Sequence, residues 1–538
     1  MPVKKRIWIT IAILLGIFGG IVGCTSPSPT ATPSVPTITQ ESEPTATGPI
    51  ELVNPGFEEQ GADGVLAGWT STGKPEAVMV EKNGHFSDSR LTHKASENHL
   101  VETSQVVSGL ADGWYTLQAW VRSSGGQVEV YLALSCGGEE KRAYIPATTP
   151  GYRWIHLVVA NQATDGQCTI NLHSFGLSES WASFDDIELV PGRAELSILG
   201  ADISSLKKSE DKGGVYKYAD GTEADALQIL KDNGMNYARL RIWVDPADGY
   251  HNKNEILEMA TRLKSQGIKL LVDFHYSDDW ADPGKQYKPK AWEDLDFEGL
   301  KQALYDHTFD VCNSLIAQGT PPDMVQVGNE INSGILWPDG HTWDPANWDG
   351  LAKLLTTGYE AIKACSPETR VMLHIAEGGD VEMSHWVFDN LTRRDVPFDV
   401  IGVSYYPFWH GTLAELQGNL NDISERYDKD VVVAEFAYPF TILEDDTLAN
   451  IANRNMATDG YLFTPDGQRR MLRDVMSVVR GVPNGRGLGV FYWDATWTAV
   501  PGNGWDTKNP KSENAWENQA LFDFNDRALP ALEEYLNP

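Results

Sequence analysis

The C-terminal two thirds of the chain alternates short apolar runs with longer segments in which apolar residues recur at helical spacing. The apolar runs predict eight strands, at 197–203, 237–243, 269–275, 324–329, 370–374, 400–405, 431–435 and 487–493. The longer segments predict helices that include 222–233, 253–266, 297–317, 347–364 and 467–480. This alternation predicts a (β/α)8 TIM barrel over residues 194–538. The alternative is a doubly wound open sheet, but no glycine-rich phosphate loop follows the first strand.

Residues 50–193 have a different pattern, in which apolar and polar positions alternate with a period of two. The segments 115–121, 128–134 and 154–159 are examples, and Gly, Asp and Ser separate such runs. This period and spacing predict an all-β sandwich in front of the barrel.

The N-terminus carries the pattern of an export signal. Lys4, Lys5 and Arg6 precede an apolar run at 7–23, as in a secretory signal peptide, although an uncleaved membrane helix is the alternative. Residues 21–24 (IVGC) resemble a bacterial lipoprotein cleavage box, which implies that Cys24 is lipidated and that the protein is exported and anchored at the cell surface. Residues 24–49 are rich in Ser, Thr and Pro and predict an unfolded tether.

Composition narrows the possible partners. Lys and Arg total 43 against 75 Asp and Glu, which gives a net charge of −32. Such a chain would repel nucleic acid, and basic patches would not hold it on anionic membranes. No dimerising apolar stripe stands out, so we expect a monomer.

Four cysteines remain besides Cys24. Cys136 and Cys168 fall in the first folded region, and Cys312 and Cys365 fall in the second. An even number in an exported protein permits two disulfides, with buried free thiols as the alternative.

Polar residues collect where the predicted barrel strands end, which is the face that carries the active site in a barrel. Glu330 follows the fourth strand, Glu435 ends the seventh, and both therefore lie at one barrel mouth. Two carboxyl groups at one mouth suit the cleavage of a glycosidic bond. Either glutamate could instead be a structural ion-pair partner of Arg239 or Arg241.

Longer motifs point to a known family. They lie, in this order, at 200–205 (GADISS), 231–236 (KDNGMN), 239–246 (RLRIWVDP), 273–283 (DFHYSDDWADP), 327–332 (VGNEIN), 404–410 (SYYPFWH) and 518–523 (NQALFD). Together they resemble glycoside hydrolase family 53. The resemblance implies a retaining endo-β-1,4-galactanase that cuts galactan side chains of type I arabinogalactan and needs no catalytic cofactor.

The same resemblance assigns roles to the two glutamates and their neighbours. It implies that Glu330 is the acid/base and Glu435 the nucleophile. Asn329 would hold the sugar 2-hydroxyl, and Tyr405 or Tyr406 would hydrogen-bond Glu435.

Three further residues would complete the substrate site. Arg241 and His275 would line it, with Arg241 lowering the pKa of Glu435, and Trp493 would be a stacking floor.

Bacterial members of the family hold a structural Ca²⁺ ion after the seventh strand. The residues at corresponding places are Glu444, Asp446, Asn450, Asn514 and Glu517. Leu448 stands where a His ligand would be expected, and a solvated acidic loop is the alternative.

The N-terminal region has its own resemblance. Residues 54–58 (NPGFE), 68–69 (GW) and 184–189 (FDDIEL) are similar to the frame of jelly-roll carbohydrate-binding modules. This implies Glu58 and Asp186 as candidates for a second structural Ca²⁺, and Trp181 as a candidate exposed ring.

Three other functions remain open. The barrel could hydrolyse another β-glycan such as mannan or glucan, since the glutamate pair is shared across related families. It could be a non-catalytic glycan-binding lipoprotein. A transporter-linked solute receptor would share the lipid anchor and the acidic composition, but it would have two lobes instead of eight βα units.

Overall fold

The computed structural model describes residues 49–60, 66–148, 151 and 153–536. The predicted signal peptide, lipidated Cys24 and tether, apart from Pro49, lie outside these residues. In the described part of the chain, no helix has the length and apolar character needed to cross a bilayer.

The described residues of the N-terminal part form a β-sandwich of ten strands. They are β1 Thr70–Gly73, β2 Val78–Lys82, β3 Ser89–Lys94, β4 His99–Ser108, β5 Gly113–Ser123, β6 Glu129–Cys136, β7 Glu139–Tyr144, β8 Ile155–Ala163, β9 Gln167–Gly176 and β10 Trp181–Pro191. Two antiparallel sheets form, in the orders β1-β4-β9-β6-β7 and β2-β3-β10-β5-β8. The predicted all-β sandwich is therefore present.

The alternation in β5 shows why this part folds as a sandwich. The odd positions of β5 from Tyr115 to Ser123 are buried between the sheets, whereas Trp120 and Arg122 lie on the outer face. A disulfide between Cys136 and Cys168 joins the neighbouring strands β6 and β9.

The second part contains ten strands and eight α-helices. The strands are β11 Ile198–Asp202, β12 Tyr237–Ile242, β13 Lys269–Phe274, β14 Met324–Val327, β15 Gly334–Ile335, β16 Gly340–His341, β17 Arg370–Ile375, β18 Val400–Ser404, β19 Asp430–Phe436 and β20 Gly487–Tyr492. The helices are α1 Leu206–Asp211, α2 Ala226–Asp232, α3 Lys253–Gln266, α4 Phe297–Ala317, α5 Trp348–Cys365, α6 Val381–Thr392, α7 Leu413–Tyr427 and α8 Pro465–Arg480. Short 3₁₀ helices lie at Pro75–Ala77, Lys290–Trp292, Ile331–Ser333, Arg454–Met456, Pro483–Gly485, Glu517–Gln519 and Pro530–Leu536.

Eight of these strands close a parallel barrel in the order β11-β12-β13-β14-β17-β18-β19-β20. Each matches a predicted strand to within two residues, so the predicted (β/α)8 barrel is confirmed. The hairpin β15–β16 was not predicted. Helix α2 begins at Ala226, later than predicted, because the Asp225 side chain caps its first turn by accepting from the N–H of Leu227.

The sandwich packs on the outside of the barrel through β8. The backbone N–H and C=O of His156 both bond the Gln417 side chain of α7, each at 2.7 Å. The His156 ring nitrogen Nδ1 lies 2.8 Å from the Gly481 carbonyl oxygen at the end of α8. A Cβ at position 481 would lie 2.1 Å from the His156 oxygen, so only glycine permits this close approach. A second disulfide, Cys312–Cys365, joins α4 to α5 within the barrel.

Candidate active site

A pocket of about 340 Å³ opens where the barrel strands end. It brings together seven of the eight residues predicted for catalysis or substrate binding, and only Tyr405 is not among them. The seven are Arg241, His275, Asn329, Glu330, Tyr406, Glu435 and Trp493.

Glu435 lies at the end of β19, and both of its oxygens have partners. Arg239 Nη2 lies 2.9 Å from Oε1, and Tyr406 Oη donates to Oε2 at 3.0 Å. Burial raises the pKa of Glu435 to about 7, while the positive charge of Arg239 and the Tyr406 hydrogen bond act against that rise. These two partners stabilise the ionised form that a nucleophile needs.

Arg239 is the centre of a buried polar network. Its remaining bonds, at 2.8–3.2 Å, reach Asp202, Asp273, Gln326 and Asn329. Only 1% of the Arg239 surface is exposed, and a buried guanidinium is stable only when its donors are satisfied in this way.

The structure pairs Glu435 with Arg239, whereas the family resemblance implied that Arg241 would lower its pKa. Arg241 Nη1 instead bonds Asp494 Oδ2 at 2.7 Å, and its guanidinium lies 4.2 Å from the Trp280 ring centroid. Arg239 and Arg241 are two residues apart on β12 and face the same side of the strand. Arg239 lies one step deeper in the barrel, beside Asp202 in the strand register, and from there it reaches Glu435.

The tyrosine alternatives are also resolved. Tyr405 is fully buried and its hydroxyl donates to the Gly411 carbonyl oxygen at 3.1 Å, so Tyr405 has no place in the substrate site. Tyr406 is the residue that bonds Glu435. Successive residues of an extended segment point to opposite sides, which explains why only one of the pair can reach the pocket.

Glu330 follows β14 in a left-handed backbone conformation, with φ of 45°. Its Oε1 accepts a hydrogen bond from Ser404 Oγ at 2.6 Å. Burial, together with the charge of Glu435, raises the pKa of Glu330 to about 8. Glu435 is thus paired with a cation and Glu330 with a neutral hydroxyl, an arrangement that favours the proton on Glu330, as a general acid and a nucleophile require.

Asn329 and His275 are held rigidly by protein partners. Asn329 Oδ1 accepts from Arg239 Nη2 at 2.9 Å, and its Nδ2 donates to the Ala281 carbonyl oxygen at 2.9 Å. His275 Nδ1 accepts from the Trp243 indole and from the Ala281 N–H, so its proton is on Nε2, which donates to Asp273 at 2.9 Å.

Indole rings form one wall of the pocket. Trp493 is one of them, and Trp516 packs edge-to-face on it with ring centroids 4.8 Å apart. Trp280, Trp409, Trp505 and Trp516 also line the pocket but were not predicted. Trp280 and Trp409 lie within the family motifs at 273–283 and 404–410 and could have been proposed as pocket residues. Trp505 and Trp516 lie in an irregular segment that has no periodic signal.

This arrangement fits glycosidic bond cleavage. A carboxyl group with a high pKa and a carboxylate paired with a cation face one pocket, and flat apolar rings that suit sugar faces form its wall.

The predicted metal ligands are only partly assembled. Asp446, Asn450, Asn514 and Glu517 are linked by hydrogen bonds, but Glu444 is exposed on the loop. Both ends of the Asn514 amide have protein partners, since Oδ1 accepts from Trp516 N–H and Nδ2 donates to the Trp497 carbonyl oxygen.

The two residues proposed for a second Ca²⁺ site, in the sandwich, both have protein partners. Glu58 accepts from Ser89 N–H and Asp186 pairs with His85. Throughout the described residues, no three His, Cys, Asp or Glu side chains are grouped to hold a metal.

Comparisons with known proteins agree with the site. The model of the family described as Glycosyl hydrolase family 53 matches residues 198–535. An endo-beta-1,4-galactanase of Bacillus subtilis (strain 168) is 35% identical over 65% of this chain and 87% of its own length. Arabinogalactan endo-beta-1,4-galactanase A of Aspergillus niger is 37% identical over 56% of this chain and 86% of its own. The solved GH53 catalytic domain of Ignisphaera aggregans is 39% identical, with a TM-score of 0.61 over 64% of this chain and 96% of its own.

Proposed function

The chain belongs to glycosyl hydrolase family 53, and on that premise we propose that it is a retaining endo-β-1,4-galactanase. The observation that carries the proposal is the pair Glu330 and Glu435, which face one pocket in opposite electrostatic settings. The names of the relatives supply the substrate, a β-1,4-linked galactan such as the side chains of type I arabinogalactan.

The proposed reaction proceeds in two steps. A carboxylate oxygen of Glu435 attacks the anomeric carbon while Glu330 gives its proton to the departing glycosidic oxygen, which leaves a glycosyl ester on Glu435. The ionised Glu330 then takes a proton from water, whose oxygen attacks the same carbon and releases Glu435. Two inversions retain the β configuration.

The neighbours of the glutamates prepare these steps. Arg239 and Tyr406 keep Glu435 ionised and aimed before attack. One hydrogen of the Asn329 amide nitrogen bonds Ala281, and the other is left to donate to the sugar 2-hydroxyl. The indole wall around Trp493 would stack on the apolar face of galactose.

The test uses residues 26–538 with linear β-1,4-galactan, mannan and carboxymethyl-cellulose, and follows reducing ends over time. We expect short galacto-oligosaccharides from galactan alone. Turnover of only mannan or cellulose would support the proposed glycosidase reaction but refute galactan as the substrate. Binding without cleavage of any polymer would leave a non-catalytic glycan-binding protein.

The nucleophile is tested by Glu435→Ala, which should reduce kcat by at least about 10³-fold because the covalent step is lost. Azide should restore part of the activity on an aryl glycoside and give an α-glycosyl azide. Unchanged turnover would remove Glu435 from the mechanism.

We further propose that the sandwich is a carbohydrate-binding module. Support comes from its outer face, where Trp120, Trp154 and Trp181 are all partly exposed. The Arg122 guanidinium lies 4.6 Å from the Trp154 ring centroid and 5.8 Å from that of Trp181, so the two rings flank one cation. Flat rings beside a polar group are typical of sugar-binding faces.

The module is tested in the inactive Glu435→Ala background, so that bound galactan is not degraded. Trp154→Ala and Trp181→Ala should each weaken retention on a galactan affinity gel. Phe175→Ala is the matched control, because Phe175 is an exposed ring on the opposite sheet. Equal retention of all variants would refute this face as the binding site.

We also propose export, lipid anchoring through Cys24 and a monomeric state. The support is the N-terminal sequence pattern and the absence of a dimerising stripe in the sequence. Cys24→Ser should release the protein from the membrane fraction, and continued retention would favour an uncleaved helix. Light scattering of residues 26–538 should give the mass of one chain.

We also propose a structural Ca²⁺ site in the loop that follows β19. Glu517 Oε2 and Asn450 Oδ1 are buried without hydrogen-bond partners, and Asp446 lies close to them, so oxygen atoms suited to Ca²⁺ are available. Added Ca²⁺ should raise the Tm of chelator-treated protein, and Glu517→Gln should abolish the rise. An unchanged Tm with Ca²⁺ would count against the site.

A further inference from the structure

A chain of buried polar side chains lies behind Glu330 and is not used by the reaction as described so far. Ser404, at the end of β18, bonds Glu330 Oε1 at 2.6 Å. His374 of β17 places its Nε2 2.9 Å from Ser404 Oγ. Both residues are fully buried. The chain therefore connects the carboxyl group of Glu330 to a buried histidine that does not itself line the pocket.

The direction of these hydrogen bonds follows from the backbone. The N–H of Glu330 can only donate, and its acceptor is His374 Nδ1 at 3.4 Å. The Gln326 amide nitrogen also lies 3.1 Å from Nδ1. Asn329 Oδ1 also lies 3.0 Å from Nδ1, but that oxygen already accepts from Arg239 and Gln326. Among the described residues Nδ1 is the acceptor of the Glu330 N–H, so we place the ring proton on Nε2.

The charge state of the ring agrees with this tautomer. Burial, with the nearby charge of Arg239, holds the pKa of His374 well below its usual range, so the ring is neutral. With its single proton on Nε2, His374 donates to Ser404 Oγ. The Ser404 hydroxyl must then direct its own hydrogen at Glu330 Oε1.

We propose that His374 and Ser404 are positioning residues of the acid/base, which fix the Ser404 hydrogen on Oε1 and thereby confine the transferable proton of Glu330 to Oε2. If Oε1 carried the proton, the Ser404 hydroxyl could no longer donate to it, and its hydrogen would be buried without an acceptor. The inference rests on the proposed function, because it concerns the atom from which the leaving oxygen is protonated.

Other charged groups also face Glu330, but none of them selects one of its oxygens. Glu435 and Asp282 disfavour its ionised form, and Arg239 favours it. Within the described chain, Ser404 is the side chain hydrogen-bonded to this carboxyl group. His374 itself is faced by Arg239 and His275.

The experiment compares leaving groups. Wild type and Ser404→Ala, each as residues 26–538, are assayed for kcat/KM on β-1,4-galactan and on a 2,4-dinitrophenyl glycoside of β-1,4-galactobiose. The dinitrophenolate leaves without protonation, so its kcat/KM does not depend on the acid. We expect Ser404→Ala to lose about 10- to 100-fold on galactan and less than about 3-fold on the aryl glycoside.

The pH profile gives a second readout. Ser404 donates to the ionised carboxylate, so its loss makes ionisation of Glu330 harder. The alkaline limb of kcat/KM on galactan should therefore move up by about one pH unit. Ser404→Thr keeps the hydroxyl, and His374→Gln keeps a donor near Nε2, so both should recover most of the activity and the normal limb.

Tyr405→Phe is the matched control, since it removes a buried hydroxyl from the adjacent residue without touching Glu330. Equal losses of Ser404→Ala on both substrates, with an unmoved alkaline limb, would overturn the proposal and leave Ser404 a packing role. If Ser404→Ala does not fold, His374→Leu and His374→Gln decide by the same two readouts. Wild type that is inactive on both substrates would instead refute the proposed function.

Discussion

Replacing Arg239 by lysine tests the buried network on which the site depends. Arg239 bonds five acceptor atoms, on Asp202, Asp273, Gln326, Asn329 and Glu435. A lysine ammonium has three donors, so at least two of these five buried hydrogen bonds are lost. Each such loss costs about 1–3 kcal/mol, which gives about 2–6 kcal/mol for the variant.

That magnitude is a large part of the total stability of a folded domain, which is about 5–15 kcal/mol. At about 2–4 °C for each kcal/mol, Arg239→Lys should lower the Tm by at least about 4 °C. Urea unfolding followed by circular dichroism gives an independent value. Activity should fall as well, and the acid limb of kcat/KM should move to higher pH because Glu435 is less well stabilised in its ionised form.

Arg262→Lys provides the matched control. Arg262 also pairs with two carboxylates, Glu210 and Asp225, but a quarter of its side chain is exposed to solvent. Ion pairs of that kind contribute about 0–1 kcal/mol, so this variant should keep its Tm and its activity. Equal Tm values for Arg239→Lys and Arg262→Lys would refute the claim that Arg239 organises the site.

Three further predictions concern protonation and covalent links. The kcat/KM of the wild type should follow a bell in pH, because Glu435 must be ionised and Glu330 protonated. Burial raises the pKa of both carboxyl groups, so both limbs should lie above the ordinary glutamate pKa, and a sigmoidal profile would contradict this. Burial raises the pKa of Glu255 from 4.5 to about 7, so ionising it in the folded state costs stability as pH rises through that range. Glu255→Gln should therefore add up to about 3 kcal/mol to the free energy of unfolding at pH ~8 and nothing at pH ~4. Tm measurements at both pH values check this. Replacing Cys312 and Cys365 by serine should cost about 4 kcal/mol, since the disulfide spans 53 residues of chain, and an unchanged urea midpoint would contradict the predicted link.

The barrel could be predicted because each strand is a short apolar run buried on both sides. The site could be located because polar residues follow those runs, and strand ends meet at one face. The side chains that assist the glutamates were harder to assign. Arg239 and Arg241 share one side of β12, so alternation alone does not reveal which of them lies deep enough to reach Glu435.

Irregular backbone limited the other predictions. The register of β18 against β19 shifts between Val403 and Ser404, which obscures whether Tyr405 or Tyr406 faces the pocket. Trp505 and Trp516 belong to a segment without periodicity, and their place on the pocket wall depends on the path of that loop. His374 ends a predicted strand and could have been singled out, but its link to the carboxyl group of Glu330 passes through Ser404 on a third strand.

The buried charges under the pocket have a consequence for the electric potential of the site. Carboxyl groups outnumber cations there, with Asp202, Asp273, Glu435 and Asp494 against Arg239 and Arg241. Because these groups are buried in a medium of low dielectric constant, their excess negative charge stabilises a positive charge in the pocket. Positive charge develops on the sugar ring as the glycosidic bond breaks. A protonated amine shaped like the sugar should consequently bind more tightly than the neutral sugar itself, and a uronic acid at the same place should be repelled.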